Sequence, residues 1–418
     1  MLYLSERIVI KIGMGRGVLT HEGYSMRDVQ FWQIVLGLGF ASMFIFAAMY
    51  AVQPLLPVFT QEFMIPVSYA SMSLSMTTVG LIIGLIVLGF FSDRNGRAIY
   101  IKCSLIGSVL PFLLMPLTDS FLLIVMLRFI QGFALAGVPA AALAYISEEI
   151  HKQVMSVATA LYISSNALGG MIGRVLTGYI TEQFSWEIAF YLLAAMGTVV
   201  FIAILFILPR SRNFTPSHAS FLKDIEGFLY HLKNPALLLV FGLGVVLQLS
   251  FTGIWTYLPF HLSAPPFSLS LEAISYTFFA YGLGVIGSPI AGWLAGKFGL
   301  QKIRVVGVFV LSLGILLTMS ASLTVIVVGL CVTCLGFFTA HSLTAASVSR
   351  EATHHKGSAS SLYLVSYYVG VAAGSTLIGP LWEVVGWTGL VLFTAILPVC
   401  YIGLVVMKGM KKGRTVTS

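Results

Sequence analysis

LYISSNALGGMIGRVLTGYITEQFSW, residues 161–186, is written twice in this chain. About 200 residues further on, residues 362–387 read LYLVSYYVGVAAGSTLIGPLWEVVGW. Without a gap, Leu161, Tyr162, Ser165, Gly169, Gly173, Gly178 and Trp186 fall on Leu362, Tyr363, Ser366, Gly370, Gly374, Gly379 and Trp387. Glycine-rich apolar segments match by chance easily, but here tyrosines and tryptophans keep register as well. Nearly the same spacing relates Gly84, Gly89 and Gly96 to Gly287, Gly292 and Gly299, and Pro57 to Pro259. Self-similarity at a fixed long period marks a duplicated structural unit.

The unit is a membrane one. Of 418 residues, 58% are hydrophobic and only 9% charged, where a soluble domain carries about 25% charged residues. The apolar residues come in blocks of about 20, the length a helix needs to cross a bilayer. Backbone amides in lipid must bond within their own segment, so the blocks are helices. Barrel strands would alternate apolar and polar residues, and these do not. Apolar spans read near 31–55, 69–91, 99–117, 120–146, 154–180, 186–208, 236–262, 272–296, 302–320, 323–349, 357–382 and 386–407.

Charge placement supports that count. With the N-terminus inside, Arg94, Arg97, Lys102, Lys152, Lys297, Lys302, Arg304, Arg350, Lys356 and Lys408, Lys411, Lys412 and Arg414 all face the cytoplasm, and the outer loops carry Glu62, Asp119, Glu182, Glu187, Glu272 and Glu383 instead. Cytoplasmic loops concentrate Lys and Arg, and one missed span would invert the pattern. The net charge of +8 is therefore a topology signal and implies no nucleic-acid partner. The expected organisation is a cytoplasmic tail over 1–30, a six-helix bundle over 31–208, a cytoplasmic linker over 209–235, a second six-helix bundle over 236–407 and a basic cytoplasmic tail over 408–418. Residues 1–30 do not read as a signal peptide, since no small-residue cleavage site follows the first apolar block; Met14 and Met26 are possible alternative starts. Duplicated transporters bind substrate near the midplane between their halves and rock one half against the other.

The loop after span two reads GFFSDRNGRAIYIK, residues 89–102. Gly96 permits a tight turn. Asp93, near a helix end, can pair with basic residues and with helix N-termini. Gly89, Asp93, Arg94, Gly96 and Arg97 resemble the G-x-L-x-D-R-x-G-R-R signature of the major facilitator superfamily, with Ala98 departing at a usually basic position. In the second half the loop reads GWLAGKFGLQK from Gly292, and Gly296 replaces the acid. A charge latch between bundles is thus expected in one half only. In similar transporters an acid at the end of span four pairs with the loop arginine, which nominates Glu148 and Glu149 for Arg97; a solvated helix end is the other reading.

Span four carries Arg128, Gln131 and Gly132, similar to the family's R-x-x-Q-G motif. Arg128 lies roughly 12 Å inside the outer end at 1.5 Å per residue. A buried guanidinium is costly and usually functional; it either holds an anionic group or biases a neighbour's proton affinity, or it is a structural arginine bonded to backbone carbonyls. Its repeat partner is Val332. Gly169, Gly170, Gly173 and Arg174 look like the family's antiporter motif, with Gly170 where proline is typical and Arg174 where the last glycine is; Gly370 and Gly374 repeat the glycine face. Such faces let helices approach closely. Arg174 either lines the outer end of the pathway or snorkels to the interface.

Gln53 is a rare polar residue in span one and shares a helix face with Tyr50. The YAVQPLLP phrase over 50–57 and GGMIGR over 169–174 look like bacterial drug and arabinose-type efflux carriers. The family usually lines its cavity with helices one, four, seven and ten, which adds Gln248, Trp255 and His341 to Gln53, Arg128 and Gln131; Asn166, Tyr363 and Tyr367 are further polar or aromatic residues within spans. Each of these also has an ordinary packing role.

The resemblance implies a transporter rather than an enzyme, with lipid, a small-molecule substrate and protons as partners, no cofactor and no metal, working as a monomer in the cell membrane. No Asp or Glu lies deep in any span, so the buried acid of many proton-coupled exporters is missing; His341 is a candidate substitute, since imidazole titrates near neutrality, and Asp93 at the inner mouth is another, weaker one. Two arginines within spans and no buried acid suit an anionic substrate better than a bulky cation. No G-x-x-x-x-G-K-[ST] loop is present. Cys331 and Cys334 have C-x-x-C spacing, but no second pair completes a zinc site.

Overall fold

The computed structural model describes residues 23–217, 221–352, 354 and 356–416, almost all of them helical. No sheet occurs among them, only an isolated parallel bridge between Tyr24 and Ile150. Ten helices are long and apolar enough to cross a membrane: α1 (Val29–Tyr50), α2 (Val67–Asn95), α3 (Arg97–Leu117), α4 (Phe121–Glu149, bent at Ala136), α6 (Trp186–Ile207), α7 (Pro235–Ser263), α8 (Leu271–Phe298), α9 (Leu300–Leu317), α10 (Leu323–Val348) and α12 (Gly379–Lys408). Two more helices, α5 (Met155–Gln183) and α11 (Lys356–Ala372, continued by a π turn Ala373–Leu377), complete the twelve expected spans. These two carry the repeated stretch. Around the periphery, α1, α3, α4, α6, α8 and α9 expose Phe40, Leu110, Met126, Phe206, Ile290 and Phe309, as a lipid-facing wall should.

The repeat glycines explain the close pairings. A Cβ on Gly169 or Gly173 would strike the backbone of Met43 or Ala47 on α1, and one on Gly370 or Gly374 would strike Val245 or Leu249 on α7. The same device therefore seats α5 on α1 and α11 on α7. Gly96 (φ 101°) and Gly299 (φ 95°) turn the chain between α2 and α3 and between α8 and α9, a backbone region that residues with a Cβ avoid.

The halves differ at one conspicuous place. α1 stops at Tyr50 and the chain runs through turns over 51–55 before a short helix, Leu56–Glu62. Pro54 has no N–H to continue the ladder and disfavours helical geometry before it. At the corresponding place in the second half stands Thr256, and α7 runs unbroken past it. The sequence reading had carried span one helically to residue 55.

Residues 209–217 are fastened to the end of α4. Tyr145 Oη donates to Pro209 O at 2.6 Å, and the buried Glu149 carboxylate accepts from Ser211 Oγ (2.6 Å), Arg212 N (2.7 Å) and Asn213 N (2.9 Å). A helix, Phe221–Leu232, follows. Arg7, Lys11 and Arg16 of the N-terminal tail lie outside the described residues.

Candidate functional site between the two halves

The halves meet at the end of the molecule that carries the acidic loops, and they do so by a symmetric exchange. Glu182, at the end of α5, accepts from Leu271 N in the first turn of α8 at 2.9 Å. Its repeat counterpart Glu383 accepts from Ser68 N in the first turn of α2 at 3.1 Å. Each acid thus satisfies an orphan N–H and the positive end of a helix in the opposite half. Close backbone approach accompanies both contacts: a Cβ on Gly178 would collide with Ser275, and one on Gly379 would crowd Ser68. Ser75 and Ser71 of α2 hydrogen-bond Thr376 beyond α11 at 2.8 and 3.2 Å, and Gln183 donates to Glu272 at 2.9 Å.

At the opposite, basic end the halves stand apart around a cavity of about 490 Å³, lined by Gly89, Asp93 and Ala140 on one side and by Phe228, Ser361 and Leu364 on the other. A cavity of about 510 Å³ also lies between the halves at the acidic end, lined by Pro57 and Glu187 on one side and by Ser270 and Ile274 on the other, beside the exchanged carboxylates.

Just beneath the exchanged carboxylates sits Arg174, 2% exposed. Its Nε donates to Gln53 Oε1 at 2.6 Å and its Nη1 to Gly170 O at 2.7 Å. The guanidinium lies 4.0 Å from the Tyr50 ring centroid, 4.5 Å from that of Tyr281 and 5.3 Å from that of Phe278. Tyr281 and Phe278 belong to α8, in the other half. Gln53 crosses the same boundary, donating to Thr256 Oγ1 at 3.1 Å. Gly170 matters here because a Cβ there would stand 3.2 Å from Nη1 and 3.5 Å from Tyr50. Snorkelling, one of the two readings of Arg174, is overturned: the guanidinium points between the halves and not to the interface.

Arg128 is corrected in the other direction. It is fully buried inside the first half. Nε donates to Ser73 O (3.1 Å), Nη1 to Ala48 O (3.0 Å) and to Gln131 Oε1, and Nη2 to Met49 O (2.6 Å). Ala48 and Met49 are the last turn of α1, whose carbonyls lose their helical partners at the Pro54 break. Arg128 caps them, as cations do at helix C-termini; Thr177 Oγ1 does the same for Ala51 O at 2.7 Å. Gln131 donates to Ser108 O at 2.8 Å and is equally enclosed. The polar atoms of both residues are engaged inside the first half, those of Arg128 by carbonyls of α1 and α2 and by Gln131, those of Gln131 by Arg128 and Ser108.

The remaining pathway residues are split between roles. Asn166, half-buried, accepts from Ser42 Oγ of α1. Gln248 donates to Thr252 at 2.9 Å, while its Oε1 has no partner. Trp255 is fully buried with an unpartnered Nε1 and stacks on Phe278 at 5.0 Å and near Tyr281 at 4.7 Å. His341 Nδ1 is 2.9 Å from Tyr363 Oη, and its ring packs against Phe337 and Tyr367. Tyr281 and Phe278, which the sequence reading did not single out, were hidden among many aromatics; only their placement opposite Arg174 distinguishes them.

The latch residues assemble within one half. Arg97 bridges Asp93 and Glu148, the latter through Nε at 3.0 Å and Nη2 at 2.9 Å. Arg94 donates to Phe90 O at 2.8 Å. Through Arg97 the cluster ties α2, α3 and α4 together. Glu149 holds residues 211–213 and not Arg97. In the second half Arg304 pairs with the neutral groups Ser347 (2.9 Å) and Gln301.

The profile of the Major Facilitator Superfamily matches residues 38–375 and again 250–414. An uncharacterized transporter of Buchnera aphidicola subsp. Schizaphis graminum is 36% identical over 368 residues, covering 88% of this chain and 89% of its own length. The inner membrane transport protein YnfM of Escherichia coli is 36% identical over 371 residues, with 88% of each chain covered. Among solved structures, a peptide transporter POT in complex with sulfate superposes with a TM-score of 0.76 at 11% identity, over 94% of this chain and 97% of that one. A broken-symmetry pair of six-helix halves around a central opening is the architecture of a membrane transporter, and not of an enzyme. This chain belongs to the Major Facilitator Superfamily.

Proposed function

We propose that this protein is a secondary active transporter that works by alternating access and couples export of a small organic molecule to protons. One observation supports it above the others: the duplicated halves face each other across a boundary with a cavity at each end, and at the acidic end they touch through exchanged carboxylates. With the basic end in the cytoplasm, as the distribution of Lys and Arg directs, both termini are cytoplasmic and the exchanged acids are the contacts that hold the halves together at the outer end. The units are a tail to residue 30, halves at 31–208 and 236–407, a linker at 209–235 and a tail from 408, acting as a monomer.

With no Asp or Glu in the middle of a span, His341 is the proton carrier. It lies half-buried within α10, against Tyr363 and Tyr367 of α11. An anion-selective exchanger or uniporter is the second reading, favoured by the unpaired charge of Arg174. The test is flux in proteoliposomes under an imposed pH gradient, with fluorescent dyes and organic anions as solutes. The expected result is protein-dependent, gradient-driven flux that His341→Gln uncouples, leaving exchange along a substrate gradient intact. Gradient-driven flux unchanged by that substitution removes His341 from coupling; absence of flux for every solute sinks the transporter reading itself.

A further inference from the structure

The aromatic cluster around Arg174 holds a buried cation and an unpartnered donor but no anion among the described residues. The guanidinium is 2% exposed, and no Asp or Glu among the described residues ion-pairs with it. Its Nε donates to Gln53 and its Nη1 to Gly170 O, both neutral acceptors. In the same aromatic cluster, Trp255 Nε1 is a buried donor without an acceptor. A buried cation normally comes with a counter-charge, since desolvating it alone is costly. The facing rings of Tyr50, Tyr281 and Phe278 recover part of that cost by cation–π attraction, but they supply no hydrogen-bond acceptor of carboxylate kind.

The surroundings specify the rest of the ligand. Tyr50, Tyr281, Phe278 and Trp255 present flat apolar faces, which favour an aromatic or otherwise planar body. The site also adjoins the break in α1, and in duplicated transporters interrupted helices near the middle of the fold mark where substrate is held. Arg128, the other arginine within a span, is saturated by carbonyls and offers nothing. The arginine has no repeat counterpart: the position equivalent to Arg174 is Ser375, whose carbonyl accepts from Tyr257 Oη at 2.7 Å.

We infer that Arg174 is the anchor for the anionic group of a transported small aromatic carboxylate, with Trp255 and the rings of Tyr50, Phe278 and Tyr281 holding its planar body across the boundary between the halves. This rests on the transporter reading and names its substrate class. Because the ligand would touch both halves, its arrival replaces the direct contact of Arg174 with Tyr281 and Phe278 by a bridged one, which gives substrate a handle on the conformational change.

Three probes separate the possibilities: salicylate, its neutral analogue salicylamide, and the cation tetraphenylphosphonium. The full chain in lipid nanodiscs is titrated with each, following tryptophan fluorescence and the shift in Tm. Salicylate is expected to bind saturably, at least about tenfold more weakly in Arg174→Gln, as loss of a charge-assisted bond requires, with Arg174→Lys retaining part of the affinity and salicylamide binding poorly throughout. Size-exclusion profile and unliganded Tm establish that both variants are folded; should Arg174→Gln fail to fold, the Lys variant and the salicylate–salicylamide contrast still decide. No salicylate binding by the unaltered protein, equal affinity in a folded Arg174→Gln, or equal binding of salicylamide overturns the inference. In proteoliposomes, tetraphenylphosphonium flux that persists undiminished in Arg174→Gln overturns the anion site while leaving the transporter standing. No flux of any of the three, or of the dyes above, counts against the transporter reading.

Discussion

The two halves were built from one unit, yet α1 and α7 have gone separate ways. α7 runs unbroken through Thr256; α1 breaks before Pro54 and needs outside donors for its last carbonyls. Arg128 exists in the first half and Val332 in the second for that reason. The break then places Gln53 where it can hold Arg174 and reach Thr256 across the boundary. A single proline therefore accounts for an arginine that stabilises and helps position another that is free to bind. What the halves have kept in common is the contact at the acidic end: Glu182 and Glu383 stand at equivalent positions and cap each other's opposing helices. Charge asymmetry belongs to the binding layer and the latch; symmetry belongs to the gate.

The largest effect should come from removing the cap on the broken helix. Arg128→Ala leaves several buried carbonyls and Gln131 without partners and should cost about 3–5 kcal/mol, seen as a large drop in Tm and in yield of folded protein. Val332→Ala, at the unbroken counterpart, should cost about 1 kcal/mol. An Arg128→Ala variant of unaltered Tm that fails only in flux would return Arg128 to the pathway and break the comparison.

An intermediate effect is expected at the symmetric gate. Glu182→Gln and Glu383→Gln each weaken one charge-assisted helix cap, worth about 1 kcal/mol. Accessibility of a cysteine placed at Ser275 to a membrane-impermeant maleimide added from outside should rise by a similar factor in both single variants, and further in the double. A rise confined to one of them would show that closure is not shared equally.

The smallest effect is expected where the second half has lost its acid. Gly296→Asp restores the carboxylate of the latch position, and a Cβ there meets nothing within 4 Å. Being exposed, it should change Tm by the equivalent of no more than about 0.5 kcal/mol. A marked stabilisation would mean that the second latch can be rebuilt by one charge.

Much of this was readable in one dimension. The spans follow from runs of apolar residues, because lipid imposes the same requirement on every helix that crosses it. The duplication follows from the register of Tyr162, Trp186 and their glycines with Tyr363, Trp387 and theirs. An acid at the end of span four as partner of Arg97 was implied by the resemblance, which left Glu148 and Glu149 open; the structure selects Glu148. The glycine faces were legible too, since only a missing Cβ lets two backbones approach.

The arginines were not legible in the same way. The sequence by itself established that Arg128 and Arg174 lie within apolar spans, and that each must therefore be compensated. It could not say by what, because a guanidinium on a long side chain selects its acceptors from whichever helices surround it. For Arg128 the fold supplied three carbonyls beside a helix break; for Arg174 it supplied rings from the opposite half and no acid. The sequence determined the span count, the repeat and the distribution of charge between the two ends. Only the tertiary structure decided which loops cap helices of the opposite half and which buried charge is left without an anion, because both depend on contacts between residues distant in sequence that helix packing alone brings together.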